Sequence, residues 1–223
     1  MLRISVLLLS LLFALGCQND FRQNIEEKTK PVKQPQRQNR PKIVAFGDSL
    51  TAGFGLSESE SYPYLLQKKL DAEGYNYEVI NAGISGDTTQ GGLERIDWSL
   101  EDDSVEILIL ALGGNDLLRA VPPSKMKKNL AEIIKRAKSK GVKVLLCGML
   151  APPTMGQEYQ REFNNVFPDL ADEYKIAYMP FLLEGVALNK ELNQADGIHP
   201  NAEGMKVMTE NIYRHLKPLL EKR

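Results

Sequence analysis

Beyond residue 41 the chain alternates short apolar runs with longer amphipathic ones. Ile43–Phe46, Tyr77–Asn81, Ile107–Leu112, Val142–Met149 and Ile176–Pro180 are apolar over most of their length. Runs without a polar residue at every second position are strands covered on both faces, as in a parallel sheet. Helical spacing governs the stretches between them: Ser61–Glu73, Asp87–Glu101, Ser124–Lys140 and Gln157–Tyr174. A last helix, from about Asn201 to Leu220, sets Met205, Met208, Ile212, Leu216 and Leu219 on one stripe. Gly74 and Gly141 are placed to stop two of these helices, and Pro122-Pro123 to start another. Asp87-Thr88-Thr89-Gln90 predicts a capping box, with Asp87 as N-cap and Gln90 at the third helical position. Strand–helix alternation of this kind predicts a doubly wound α/β domain, residues 42–223, with five parallel strands and helices on both faces.

The pattern changes ahead of that domain. Residues 1–16 carry Arg3 as a minimal basic region, then Ile4 to Leu15 as an apolar stretch. It is too short to span a bilayer and has the length of a signal-peptide core. It runs into Ala14-Leu15-Gly16-Cys17, which resembles a bacterial lipoprotein box with Cys17 as the acylated first residue of the mature chain. Ala14 stands where leucine is commonest, and an ordinary cleaved signal with an incidental cysteine is the other reading. Residues 17–41 are the anchor cysteine and a polar tether whose larger apolar residues are Phe21, Ile25 and Val32, too few to order it.

Composition narrows the function. A net charge of −1 gives no electrostatic reason to expect nucleic acid. The 43% apolar content is that of a globular protein. With Cys17 lipidated, Cys147 stands alone within Val142–Cys147, as a core thiol and not a nucleophile. The core must then stabilise the fold without an internal disulfide.

Candidate chemistry lies at the ends of the predicted strands. Gly47-Asp48-Ser49-Leu50 follows the first strand and lifts a serine hydroxyl out of the sheet edge, where open α/β sheets bind ligands. Of the two histidines, His215 falls in the last helix beside its apolar stripe, a structural place. His199 falls in Asp196-Gly197-Ile198-His199-Pro200, where Asp196 can hold Nδ1–H and leave Nε2 as a base. Gly86, in Ser85-Gly86-Asp87-Thr88, offers an amide ahead of a helix N-terminus. Asn115, in Gly113-Gly114-Asn115-Asp116, offers a side-chain amide. Together these supply a nucleophile, a base and oxyanion donors, the parts of a serine hydrolase. Asp48 and Asp116 are expected to organise turns. The Gly-x-Ser-x-Gly elbow of the commonest lipase architecture is absent.

Gly47-Asp48-Ser49-Leu50, Gly86, Asn115 and Asp196-x-x-His199 resemble the four sequence blocks of the SGNH (GDSL) hydrolase family. The longer strings Asn81–Thr88, Leu112–Arg119 and Asp196–Asn201 are similar to the branch containing bacterial thioesterase I, also described as lysophospholipase and arylesterase. The resemblance implies a flavodoxin-like α/β/α sheet and neither metal nor cofactor. It implies Ser49 as nucleophile, His199 as base and Asp196 as its orienting carboxylate. The Ser49 and Gly86 amides and the Asn115 side chain would form the oxyanion hole. It also implies loose selectivity among acyl esters and thioesters, with residues 117–123 lining the acyl site. The expected partners are an acyl-ester or lysolipid substrate and, through Cys17, a membrane; a monomer is expected. Gln18, where aspartate would signal inner-membrane retention in some bacteria, favours the outer membrane. Two other readings stand beside this one: a carbohydrate O-acetylesterase of envelope polysaccharide, and a non-catalytic lipoprotein that binds lipid or glycan.

Overall fold

The structure, a computed structural model, describes residues 40–222. The expected signal peptide, Cys17 and most of the tether lie outside those residues. Described strands are β1 Lys42–Gly47, β2 Glu78–Gly83, β3 Val105–Ala111, β4 Lys143–Cys147 and β5 Ala177–Met179. All pair in parallel, in the order β2-β1-β3-β4-β5. This is the flavodoxin-like order, and the α/β/α expectation holds.

The helices, in chain order, are α1 Ser49–Ala52, α2 Tyr62–Ala72, α3 Thr89–Ser99, α4 Gly114–Leu118, α5 Pro123–Ser139, α6 Gln157–Tyr174 and α7 Ala202–Leu216. Alternate residues of each inner strand feed two separate cores. Ile43, Ala45, Ile107, Ile109 and Leu145 pack with Tyr62, Leu66 and Leu70 of α2 and Met205, Met208 and Ile212 of α7. Val44, Phe46, Leu108, Leu110 and Leu146 pack against α3, α5 and α6 on the other face. Two-sided burial is why these strands read as unbroken apolar runs.

Helix ends follow backbone chemistry, with two departures. Gly74 and Gly141, both at φ +76°, end α2 and α5 as expected, and Pro123 opens α5. The predicted capping box does not form. Thr88 is the N-cap of α3, its hydroxyl accepting from the Gly91 amide at 3.3 Å. Asp87 instead accepts from the Arg95 guanidinium at 2.7 Å, and the neutral Thr88 hydroxyl takes over the cap. The last helix stops at Leu216 and tightens into a 3-10 turn over Lys217–Leu219, because the ring of Pro218 cannot continue the α-helical ladder.

Candidate active site

β1 lies between β2 and β3, so the chain departs in opposite directions from its two sides. At such a switch point the C-terminal strand ends leave a crevice for ligands. Four segments meet there: α1 after β1, the loop after β2, α4 after β3, and the loop before α7.

Ser49 begins α1, a single turn set by its neighbours. Asp48 caps it, Oδ1 accepting from the Leu50 amide at 3.0 Å, and Gly53 ends it in the left-handed region. A side chain at Gly47 would collide with Thr51 Oγ1 and the Ala111 carbonyl, so only glycine lets the strand pass directly into this turn. Ser49 Oγ lies 2.9 Å from His199 Nε2. His199 Nδ1 lies 2.7 Å from Asp196 Oδ2. With Nδ1–H donating to the carboxylate, Nε2 is left to accept the serine proton. The other carboxylate oxygen accepts the amides of Ile198 and His199 at 2.9 and 3.0 Å. Those amides, first that of His199, and then the imidazole hold the Asp196 carboxyl down at about 2.

Opposite the histidine lie the candidate oxyanion donors. Gly86 sits at φ +83°, a left-handed conformation that a side chain disfavours. Neither the Ser49 nor the Gly86 amide has an acceptor among the described residues. Asn115 Nδ2 donates to Asp48 Oδ2 at 3.2 Å, which leaves its second amide hydrogen for a ligand. Asp48 is 3% exposed, and burial pushes its carboxyl up to about 6, against the lowering pull of the Leu50 amide, His199 and Asn115. Asp116 accepts from Thr89 N at 2.8 Å and Thr89 Oγ1 at 2.6 Å, tying α4 to the start of α3. Asp48 and Asp116 are thus the organising residues expected.

These groups open on a cleft of about 320 Å³. Phe54, Leu117, Leu118, Met149, Leu183 and Ile198 form its apolar wall. Of the segment 117–123, only Leu117 and Leu118 line the cleft; the chain then leaves it, with Pro123 already buried at the start of α5. His215 stays in α7, Nδ1 at 2.9 Å from the Asn211 carbonyl. Cys147 is fully buried, its thiol pushed up to about 12 by burial. Among the described residues no group of three or more His, Cys, Asp or Glu side chains could hold a metal ion.

Three residues were invisible to sequence reasoning. Phe54 lays its ring on the His199 imidazole, centroids 4.7 Å apart. Gln194 Nε2 donates to the carbonyls of Phe54 at 2.7 Å and Pro200 at 3.0 Å, clasping the serine loop to the histidine loop. Arg95 donates to Asp87 and to the Ala82 and Gly47 carbonyls at 2.9 and 3.0 Å, joining the ends of β1 and β2. Each residue joins segments that only the fold brings together, and no local pattern announces it.

A family model described as GDSL-like lipase/acylhydrolase matches residues 45–207. Esterase TesA of Pseudomonas aeruginosa is 43% identical over 178 residues, covering 80% of this chain and 89% of that protein. Thioesterase 1/protease 1/lysophospholipase L1 of Escherichia coli K12 is 34% identical over 178 residues, covering 80% and 84%. A crystal structure of TesA superposes with a TM-score of 0.77 at 42% identity, covering 80% of this chain and 99% of that one.

Proposed function

Because the chain belongs to the GDSL-like lipase/acylhydrolase family and is a serine esterase like its relatives, we propose that it works through an acyl-enzyme on Ser49. The observation that carries this reading is the continuous chain of hydrogen bonds from Asp196 through His199 to Ser49, at 2.7 and 2.9 Å, opening on an apolar cleft. Ser49 Oγ attacks the ester carbonyl carbon as its proton passes to His199 Nε2. Asp196 stabilises the imidazolium, and Phe54 covers its face. The carbonyl oxygen, now negative, is held by the Ser49 and Gly86 amides and the Asn115 side chain. The proton on Nε2 then goes to the leaving alkoxide, the carbon–oxygen bond breaks, and the alcohol departs. Water repeats the sequence on the acyl-enzyme, giving its proton to His199 and releasing a carboxylic acid and free Ser49.

The substrates on this reading are esters with one acyl chain: lysophospholipids, short- and medium-chain esters and aryl esters. A 320 Å³ cleft is at the small end of the range for ligand sites, and its apolar wall suits an alkyl chain. The E. coli relative's name joins thioesterase to lysophospholipase. Thioesters would be cleaved in vitro, since any competent serine attacks them. Export with a lipid on Cys17 would keep the enzyme on the periplasmic face of the envelope, with Gln18 favouring the outer membrane, and away from cytoplasmic acyl-CoA.

A series of p-nitrophenyl esters tests the reading. The kcat/KM should rise with chain length to about six carbons or more, because each buried methylene adds ~0.8 kcal/mol. Turnover of the acetate alone would point to an O-acetylesterase, and no turnover of any member to a binding protein.

A further inference from the structure

One charged group at the mouth of the cleft has no part in hydrolysing a plain ester. Arg119 follows Leu118 at the end of α4, and its side chain is exposed. It reaches back so that Nη2 donates to the Gly86 carbonyl at 3.0 Å, and the same nitrogen lies 3.8 Å from where a Gly86 Cβ would stand. The guanidinium is therefore held beside the segment that offers an oxyanion donor, next to the cleft-lining Leu118 and Gly86.

Among the described residues nothing neutralises it. Among the described residues no carboxylate lies within ion-pairing distance of Arg119, and Gly86 is its one hydrogen-bond acceptor. Asp116, the carboxylate nearest in sequence, and Asp87, the neighbour of Gly86, are committed elsewhere. Asp87 is bound by Arg95 at 2.7 Å, and Asp116 accepts from the amide and hydroxyl of Thr89. The remaining guanidinium N–H groups of Arg119 have no acceptor among the described residues, and the two residues it adjoins, Leu118 in sequence and Gly86 in space, both line the cleft.

A ligand that satisfies both parts has an acyl ester and, a short distance beyond the ester oxygen, an anion that accepts two parallel hydrogen bonds. Phosphate oxygens match the guanidinium fork in geometry and charge. Glycerol is the spacer that separates ester from phosphate in a lysophospholipid. We propose that Arg119 binds the phosphodiester of a lysophospholipid while its ester sits at Ser49, and so sets a preference for phosphate-bearing esters over neutral ones. The proposal rests on the Ser49 reading above and adds the recognition of the head group.

The test compares 1-acyl lysophosphatidylglycerol with the 1-monoacylglycerol of the same chain, both in mixed micelles of one neutral detergent, using the full chain. They share the ester and the alkyl chain and differ in the phosphodiester. The wild type should favour the lysophospholipid in kcat/KM by about two- to fivefold, the range for an exposed ion pair. Arg119→Gln should bring that ratio close to one, and Arg119→Lys should keep part of it. Equal losses on both substrates would overturn the proposal, since Arg119 would then only steady Gly86. So would a wild type without preference. Failure of the underlying reading would look different: Ser49→Ala would still cleave both substrates.

Discussion

Asp48 sits beneath the oxyanion donors with almost no water around it. One oxygen fixes the start of α1 and the other holds Asn115, so a single carboxylate sets two of the three groups expected to face the oxyanion. The arrangement costs stability. Its carboxyl is raised from 3.8 to about 6 on folding, chiefly by burial, so between those values the folded chain holds a proton that the unfolded chain has released. Stability from this group is full below pH 3.8 and is lost as the pH rises through about 6. Asp48→Asn has no such titration. Its unfolding free energy relative to the wild type should therefore climb by on the order of 2 to 3 kcal/mol between pH 4 and pH 7, read from urea midpoints at each pH. A flat difference would mean that Asp48 ionises as freely in the folded protein as in the unfolded one. Activity should fall at every pH, since asparagine offers one acceptor where Leu50 and Asn115 need two. The identities at this site were legible in the sequence because the residue types are scarce: with two histidines in the chain, the one beside Asp196 stood out. The bond between Asp48 and Asn115 was not legible, for it joins residues 67 apart and exists only once β1 and β3 are paired.

The loops that carry Ser49 and His199 belong to opposite ends of the chain, and the core does not fix their spacing alone. Gln194 fixes it by reaching the Phe54 carbonyl, 140 residues away. A side chain at Gly55 would meet its carboxamide, so the clasp also needs that glycine. Gln194→Ala should leave the thermal midpoint nearly unchanged and lower kcat by about tenfold or more, because small misplacements of reacting groups are expensive in rate. A loss confined to KM would show that the clasp shapes binding and does not position His199. The five strands and five long helices could be read from the sequence, since continuous apolar runs and helical stripes are local signals. The short helices α1 and α4 could not, because a single turn has too few residues to show a period. The cap of α3 departs from its local pattern for a different reason: Asp87 has the residue type and place of an N-cap, and a tertiary demand, the closing of the β1 and β2 ends by Arg95, takes it away.

Seen whole, the domain has its described beginning and its cleft at opposite ends of the sheet. β1 starts at Lys42 and delivers Ser49 after Gly47, a strand length of roughly 20 Å. A lipid on Cys17, as proposed, would reach the domain through the start of β1, away from the chemistry. Cys17→Ser should move the protein out of the membrane fraction and leave kcat/KM on soluble p-nitrophenyl esters unchanged, while hydrolysis of membrane-derived lysophospholipids in cells falls. A wild-type chain that fractionates as soluble, with an unmodified cysteine, would end the anchoring proposal.

The claim on which the rest depends is that Ser49 is the nucleophile. A p-nitrophenyl alkylphosphonate transfers its phosphorus to an activated serine and stops there, so the labelled peptide identifies the residue by mass spectrometry. One phosphonyl group per chain should appear on Ser49, in step with loss of esterase activity. The label should be absent from Ser49→Ala and much slower to form in His199→Ala, where the proton has no acceptor. Stoichiometric label on any other residue, or full activity in a chain fully labelled at Ser49, would contradict the account.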